Sequence, residues 1–273
     1  MAFFHSMRVT GLIVLFKNEQ KLYKIHSENL IIGKNIHYLP SCQSTNDIAA
    51  ELLRQSDIME GTVIITDFQT AGRGQRGNQW QAQPGDNFTL SVVLKPSFML
   101  ATEQFWLNMA ISLGIHDFLS HYLPSNLTVK WPNDIYYQNQ KMGGVLIENT
   151  LKGYALDSSV VGIGLNINQL DFENLPATSL ALLTGRQYDL AVLLPKLLTC
   201  IEKYYLALRN NQRDSLKTAY LQVLFRYQEP HLYRKNNTVF TGVIMGTDHS
   251  GQLIVLVDDT LKYFGFKEIE FIL

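Results

Sequence analysis

A glycine- and arginine-rich segment that directly follows an apolar run constrains this chain more than any other feature. Val63-Ile64-Ile65 predicts a strand, and residues 69–77 after it read QTAGRGQRG. Glycine adopts backbone conformations that other residues avoid, so such a loop can turn sharply and bring backbone N–H groups close to an anion. Arg73 and Arg76 add fixed positive charge, and arginine can hold a carboxylate or phosphate through two hydrogen bonds. The segment predicts a site for a small anion, with a plain surface turn as the alternative.

Better-known glycine-rich motifs do not fit this segment. No Gly-Lys-Ser or Gly-Lys-Thr follows at the spacing of a Walker A loop, and the glycines do not have the Rossmann spacing. RNA-binding RGG tracts are repeated and low in complexity, whereas this segment occurs once, between strand-like runs. These differences favour a loop within a folded domain.

A second group of polar residues surrounds a predicted hairpin. Residues 130–134 read KWPND, and residues 141–148 read KMGGVLIE after a short predicted turn. The amide of Asn133 and the carboxylate of Asp134 are oxygen ligands of the kind that Mg2+ prefers. Lys141, at the start of a glycine-containing strand, suits a phosphate. The alternative is a surface hairpin with ordinary charges.

A third motif places asparagines at the end of an apolar run. Residues 160–168 read VVGIGLNIN, and their glycines predict a strand that another group approaches closely. Asn166 and Asn168 need hydrogen-bond partners in such surroundings. A core strand with satisfied asparagines is the alternative.

Hydrophobic periodicity predicts mixed strands and helices, and so an α+β class with a mixed sheet. A strand is expected over residues 87–94 and short paired strands after residue 241. Helices are expected over residues 47–54, 104–122, 190–208 and 213–225.

The motifs, taken in this order, resemble those of the biotin protein ligases, the biotin–[acetyl-CoA-carboxylase] ligases. The combination is specific, and the resemblance covers roughly residues 32–272. The matching segments are Ser44-Thr45-Asn46, residues 69–77 with Trp80, and residues 130–134, 141–148, 162–168, 177–180 and 242–272.

The resemblance implies the domain organisation. A mixed-sheet biotin/lipoate ligase-like catalytic domain is expected over residues 32–226, and a small SH3-like β-barrel over residues 227–273. Residues 1–31 form an N-terminal extension of unknown role, which is too short for the DNA-binding domain of some relatives. Within it, residues 11–16 and 22–25 are expected to pair as a hairpin.

The resemblance also implies an activity. The expected enzyme is an ATP-dependent ligase that activates biotin as biotinyl-5′-AMP and transfers it to a specific lysine of a biotin carboxyl carrier protein. ATP and Mg2+ are the expected cofactors, with biotin as the substrate. The acceptor would belong to acetyl-CoA carboxylase or a related carboxylase. A cytoplasmic monomer or homodimer is expected, with no specific DNA and no membrane as partners.

Residue roles follow from the same resemblance. Catalytic charge is expected from Lys141, Arg73 and Arg76. The expected biotin site comprises Ser44, Thr45, Asn46, Gln69, Gly72, Arg73, Trp80, Lys141, Gly143 and Gly144. The expected ATP site comprises Arg76, Lys130, Asn133, Asp134 and Asn166, with Asn133 and Asp134 also as metal ligands. The chain departs from the family at Gln75, where many relatives have arginine, so its contact to the adenylate phosphate lacks a charge.

Composition argues against several other classes. The net charge of −1 argues against a general nucleic-acid binder. Cys42 and Cys200 lie too far apart in sequence for a metal-ligand motif or a disulfide framework. The apolar residues 12–16 are too few for a signal sequence or a membrane span.

Three other functions are alternatives to biotin ligation, and each would require different sequence features. A lipoate ligase shares the fold but would carry a different glycine-rich motif with histidine. A biotin-responsive repressor would need a DNA-binding domain ahead of Ile32. A pure biotin-binding module would not need Lys141 or the Asn133-Asp134 pair.

Overall fold

A computed structural model describes residues 29–55, 58–173 and 175–273, apart from the side chain of Arg76, together with the backbone of two strands near the N-terminus. These two strands, β1 (His5–Val9) and β2 (Leu12–Phe16), pair in antiparallel fashion. The predicted strand at residues 11–16 is therefore confirmed, with β1 as its described partner. Its predicted partner, residues 22–25, lies outside the described residues.

A seven-stranded mixed sheet forms the centre of the molecule. Its strands run in the order β3-β4-β5-β9-β8-β7-β6. β3 pairs with β4 in parallel, and every other neighbouring pair in this sheet is antiparallel, which confirms the predicted mixed sheet. The strands are β3 (Ile36–Cys42), β4 (Val63–Gln69), β5 (Phe88–Leu94), β6 (Leu127–Lys130), β7 (Asp134–Tyr137), β8 (Gln140–Lys152) and β9 (Ala155–Leu165).

Five α-helices accompany this sheet in the described part of the chain. They are α1 (Thr45–Gln55), α2 (Phe105–Ser120), α3 (Leu180–Thr184), α4 (Leu190–Arg209) and α5 (Arg213–Gln222). The four predicted helices are confirmed, although α5 ends three residues before the predicted boundary at residue 225. The short α3 was not predicted; the Ser179 hydroxyl caps it by accepting from the backbone N–H of Leu182.

Alternation along the inner strands gives the sheet two apolar faces. Ile64 and Val93 pack with Leu52 of α1 on one face, whereas Val63 and Ile65 belong to the larger core that contains α2 and α4. Successive side chains of a strand point to opposite faces, so a strand buried on both sides reads as an unbroken apolar run. This explains why Val63-Ile64-Ile65 has no polar residue.

Helix α2 lies deep in the larger core and contacts α4 closely. A Cβ placed on Gly114 would lie 2.6 Å from Ile201 Cα of α4, so a larger residue there would push the two helices apart. This close packing fixes the helical layer on one face of the sheet, whereas Gly162 and Gly164, which alternate along β9 with residues of this core, lie on the other face.

The C-terminal strands form a second, antiparallel sheet in the order β13-β12-β11-β10-β14. They are β10 (Pro230–Lys235), β11 (Thr238–Thr247), β12 (Leu253–Val257), β13 (Thr260–Phe264) and β14 (Glu270–Phe271). The predicted C-terminal β-structure is confirmed as a five-stranded sheet, while its closure as an SH3-like barrel and the domain boundaries stay predictions. Trp131 joins the two sheets: its indole N–H donates to the Gly251 carbonyl at 2.9 Å, and its ring lies 5.3 Å from that of Phe266.

Two strand predictions needed correction. β9 ends at Leu165, so Asn166 and Asn168 follow the strand rather than lying within it. Their side chains reach neighbouring loops: Asn166 Nδ2 donates to Thr178 O and Asn168 Nδ2 to Tyr188 O. The sequence predicts strand ends at residues 129–134 and 135–137 around a turn, whereas in the structure the turn between β6 and β7 comprises residues 131–133, so Asp134 begins a strand. None of the described helices is long and apolar enough to span a bilayer.

Candidate active site

A cavity of about 450 Å³ lies where the glycine-rich loop, the start of α1 and the strands β7, β8 and β9 meet. Residues far apart in sequence therefore share one site. Of the fifteen predicted site residues, ten line it: Ser44, Thr45, Asn46, Gln69, Arg73, Trp80, Asn133, Asp134, Lys141 and Gly144.

One end of the cavity carries a buried set of hydroxyl and amide groups. The Gln69 Oε1 atom accepts from the backbone N–H of Thr45 at 2.7 Å and from its hydroxyl at 3.1 Å. The hydroxyl of Ser91, which the sequence did not single out, lies 2.7 Å from Thr45 Oγ1 and 2.6 Å from Asn46 Oδ1. Ser44, Thr45 and Asn46 are each at most 3% exposed. A small polar ligand bound here would meet groups whose orientation is already fixed.

Two glycines of β9 allow other side chains to approach the sheet. A Cβ on Gly162 would lie 2.5 Å from Asn46 Oδ1, and one on Gly164 would lie 2.6 Å from Trp80 Cδ2 and Cζ2. The indole therefore rests directly on the strand backbone, as the Gly-apolar alternation predicted. Neither glycine was assigned to the site from the sequence, although both line the cavity.

The glycine-rich loop folds back on itself. The N–H of Gly74 donates to Asn78 O at 2.7 Å, and the N–H of Trp80 donates to Gly72 O at 3.0 Å. Gly72 is buried and lies outside the cavity lining; a Cβ there would lie 2.9 Å from Gln69 Nε2. Gln75 does line the cavity.

Lys141 and Asp134 form an ion pair inside the cavity. Lys141 Nζ lies 2.6 Å from Asp134 Oδ1, and both side chains are about a third exposed or less, at 35% and 25%. A Cβ on Gly144 would lie 3.0 Å from Asp134 Oδ1 and 3.3 Å from Lys141 Nζ, so Gly144 makes room for the pair. Gly143 lies behind the cavity, where a Cβ would lie 2.7 Å from Gly164 O.

The motif at residues 177–180 supports Lys141 through the backbone. The N–H of Lys141 donates to Pro176 O, and the N–H of Thr178 donates to Lys141 O, both at 2.9 Å. Asn166 holds the same segment, because its Nδ2 donates to Thr178 O at 3.0 Å. The motif that contains Lys141 and the motif at residues 177–180 are therefore neighbours in the structure, although they are distant in sequence.

Asn166 itself lies in an adjoining pocket of about 330 Å³. That pocket shares Gln79, Trp80 and Lys141 with the larger cavity. Asn166 is 3% exposed, and within the described protein neither its Oδ1 nor the indole N–H of Trp80 has a hydrogen-bond partner. Buried polar atoms of this kind usually have one, so this pair is available to a ligand.

The remaining predicted cations of the ATP site are Lys130 and Arg76. Lys130 lines neither cavity: its Nζ lies 3.2 Å from the Tyr136 hydroxyl and 5.1 Å from the ring centre of Phe271 in the C-terminal sheet. Burial lowers the pKa of Lys130 to about 8, against the opposing effect of Asp134. Arg76 lies in a short 3-10 turn at Gln75–Gly77; its side chain lies outside the described part.

The C-terminal sheet adds a cation that the sequence did not point to. Lys267 lines the cavity from the turn after β13, and the ring of the preceding Phe266 packs against Trp131, next to Pro132 in the cavity wall. No local motif marks Lys267, because only the packing of the second sheet brings it to the site.

The metal prediction fits these residues only in part. Asn133 Nδ2 donates to Val145 O, which leaves its Oδ1 as an acceptor beside the Asp134 carboxylate. Among the residues that the structure describes, no three His, Cys, Asp or Glu side chains gather as a metal site. One carboxylate and one amide suit Mg2+ when phosphates and water supply the remaining oxygens.

Comparison with known proteins identifies the family. Residues 38–166 match the model of the biotin/lipoate A/B protein ligase family. The bifunctional ligase/repressor BirA of Bacillus subtilis is 30% identical over 248 residues, which cover 88% of this chain and 75% of that protein. The chain belongs to the biotin protein ligases.

Other members of the family agree over most of the chain. The biotin–[acetyl-CoA-carboxylase] ligase of Paracoccus denitrificans is 28% identical over 221 residues, covering 77% of this chain and 91% of that protein. The structure of the Aquifex aeolicus biotin protein ligase in complex with biotin and ATP has a TM-score of 0.73 at 26% identity, covering 87% of this chain and 98% of that one. The fold, and not only the motifs, is that of a biotin protein ligase.

Proposed function

We propose that this protein activates biotin with ATP and transfers it to a lysine of a biotin carboxyl carrier protein. Membership of the biotin protein ligases and the likeness to a structure with biotin and ATP support this activity. Within the chain, the supporting observation is the pair of adjoining cavities that share Trp80 and Lys141. Two substrates bound side by side there would meet at a cation.

The larger cavity suits biotin at its polar end. A buried ureido ring needs partners for its two N–H groups and its carbonyl. Ser44, Thr45, Asn46 and Gln69 supply hydroxyl and amide groups that are already held in place, and Trp80 supplies an apolar wall. We assign the ring to this end; the backbones of Gly72-Arg73 and Gly143-Gly144 then support its walls.

The adjoining pocket suits the adenine of ATP. The unpartnered Asn166 Oδ1 can accept from the exocyclic amino group of the base, and the indole of Trp80 is placed to contact the ligand. The triphosphate would then extend past Lys141 toward Asn133 and Asp134, with Arg76 and Lys130 contributing positive charge nearby. Mg2+, if held by Asn133 and Asp134, would screen the phosphates there.

The first reaction joins two anions. A carboxylate oxygen of biotin attacks the α-phosphorus of ATP, and pyrophosphate leaves, so positive charge at the meeting point lowers the barrier. Lys141 is suited to this role because it lines both cavities, and the ion pair with Asp134, at 2.6 Å, holds its Nζ in place. Holding both reactants in line contributes up to about 7–11 kcal/mol in favourable cases.

The second reaction transfers the biotinyl group. The amine of the acceptor lysine attacks the acyl carbon of biotinyl-5′-AMP, and AMP leaves. The mixed anhydride hydrolyses if water enters, so the glycine-rich loop must cover it until the acceptor arrives. The names of the relatives point to a carrier protein of acetyl-CoA carboxylase as the acceptor. We further propose a cytoplasmic location and a monomeric or homodimeric state.

Biotin-dependent exchange of label between pyrophosphate and ATP tests the first reaction. The protein should catalyse this exchange with biotin and not without it. Replacing biotin by lipoate is the necessary control, since the family model includes both kinds of ligase. Exchange with lipoate and not with biotin would overturn the proposal.

A further inference from the structure

Arg73 of the glycine-rich loop is held by two carboxylates from outside the loop. Its Nη2 lies 2.6 Å from Asp47 Oδ1, in the first turn of α1, and 3.0 Å from Glu148 Oε2, on β8. The three side chains are between 42% and 54% exposed, so this bridge lies at the surface. The loop is therefore tied by charge to two separate elements of the catalytic fold.

Glu148 also reaches the polar end of the cavity. The same Oε2 atom that pairs with Arg73 accepts from Asn46 Nδ2 at 2.7 Å. Asn46 is 3% exposed, lines the cavity, and has its Oδ1 2.6 Å from the Ser91 hydroxyl. One carboxylate oxygen thus joins the loop to the residues assigned to the biotin ring.

The base of the loop has a different attachment. The N–H of Thr70 donates to Cys42 O and that of Ala71 donates to Gln43 O, both at 2.9 Å. These backbone bonds fix where the loop leaves β4. Arg73 adds its attachment further along, at the point where the loop turns over the cavity and pairs with Gln79.

We propose that Glu148, together with Asp47, is a positioning residue that latches the glycine-rich loop over the bound adenylate through Arg73. The proposal rests on the proposed function, which it extends by naming what keeps the loop closed. Arg73 then acts on the intermediate through the loop that it holds, and its guanidinium has its ion partners outside the cavity. The latch opens when either ion pair is broken.

The expected effect is moderate. Exposed ion pairs are weak and are screened by salt, so loss of the Glu148 pair should speed release of the intermediate by about 1.5- to 5-fold. Formation of the adenylate should change less, because Lys141 and the ring-binding groups keep their places.

The matched substitution is Glu148→Gln. Its amide oxygen can still accept from Asn46, while the charge that holds Arg73 is lost. Dissociation of preformed biotinyl-5′-AMP is followed for the wild-type protein, Glu148→Gln, Arg73→Gln and the double variant. Glu51→Gln is the control, since it removes a carboxylate from the same helix α1, where its ion partner is Arg54. The latch predicts faster release in both single variants, no further increase in the double variant, and no change in the control.

Amide hydrogen exchange in the ligand-free proteins separates this proposal from the proposed function. Amides of the loop, such as those of Gly74 and Trp80, should exchange faster in Glu148→Gln than in the wild type. This readout needs neither biotin nor ATP. If wild-type protein forms no adenylate, the proposed function fails, and loop exchange still decides the latch.

Two results would overturn the latch. One is unchanged loop exchange and unchanged release in a folded Glu148→Gln protein. The other is an additive effect of the two substitutions, which would mean that Arg73 and Glu148 act separately. If Glu148→Gln does not fold, Asp47→Asn breaks the other ion pair at a more exposed position and is judged by the same two readouts.

Discussion

Gly164→Ala should displace Trp80 and so disturb both proposed substrate sites at once. The added methyl carbon would lie 2.6 Å from Trp80 Cδ2 and Cζ2. Carbon atoms pack comfortably at about 3.5–4.0 Å, so the indole must move by about 1 Å. A displacement of about 1 Å can cost a factor of about 100 in rate. We expect kcat/KM for adenylate formation to fall by about 10- to 100-fold. We also expect overpacking to lower the free energy of unfolding by about 1–3 kcal/mol.

The assay is biotin-dependent pyrophosphate exchange, with thermal unfolding as a check on the fold. Gly265→Ala is the matched control, since its added methyl carbon would meet nothing closer than 3.4 Å. Gly164→Ala should be impaired while remaining folded, and Gly265→Ala should resemble the wild type. A folded Gly164→Ala protein with kcat/KM within twofold of the wild type would refute the placement of Trp80 between the two substrates.

Three further predictions concern single side chains. Lys141→Ala should leave biotin affinity nearly unchanged but slow adenylate formation by about 100-fold or more, because it removes the cation and leaves Asp134 unpaired beside the phosphates. Calorimetry measures the biotin affinity and single-turnover kinetics measure adenylate formation. A near-normal rate of adenylate formation would contradict the role of Lys141. Gln75→Arg should slow release of biotinyl-5′-AMP by up to about tenfold, because a charge-assisted hydrogen bond is stronger than a neutral one; equal off-rates would mean that Gln75 does not face the phosphate. Burial lowers the pKa of Lys130 to about 8, so the folded protein loses this proton at lower pH than the unfolded chain does. The free energy of unfolding should therefore increase as pH rises from about 8 toward about 10. Urea unfolding should show a smaller increase for Lys130→Met than for the wild type, and identical pH profiles would contradict the lowered pKa.

Local sequence patterns predicted much of the scaffold. Val63-Ile64-Ile65 has no polar residue because the strand is buried on both faces. The helical periodicity of residues 190–208 correctly predicted α4. Boundaries were less predictable. Asn166 looked like part of a strand, but β9 ends one residue earlier, and no pattern in the sequence marks where pairing with β8 stops.

The site was predictable where chemistry and motif coincide in one segment. Ser44-Thr45-Asn46, Lys141 and Asp134 all line the cavity, and each belongs to a short motif at the end of an element. Lys267 could not be found in this way, because it reaches the cavity through the packing of Phe266 on Trp131.

The partners of Arg73 were equally hidden from the sequence. Glu148 ends one of the family motifs, yet nothing in the sequence indicates that its carboxylate contacts Arg73, 75 residues earlier in the chain. The sequence marks Asp47 only as the first residue of a predicted helix. Ion pairs between distant segments depend on how the sheet and α1 pack, which local patterns do not encode.

The most direct test of biotin ligation is an intact-mass measurement on an acceptor domain. The protein is incubated with biotin, ATP, Mg2+ and a biotin carboxyl carrier domain, and the same mixture without ATP is the control. Biotin ligation predicts a gain of one biotinyl group on the acceptor, absent without ATP and absent when the acceptor lysine is replaced by arginine. An acceptor of unchanged mass, with a known biotin ligase modifying it under the same conditions, would contradict biotin ligation by this protein.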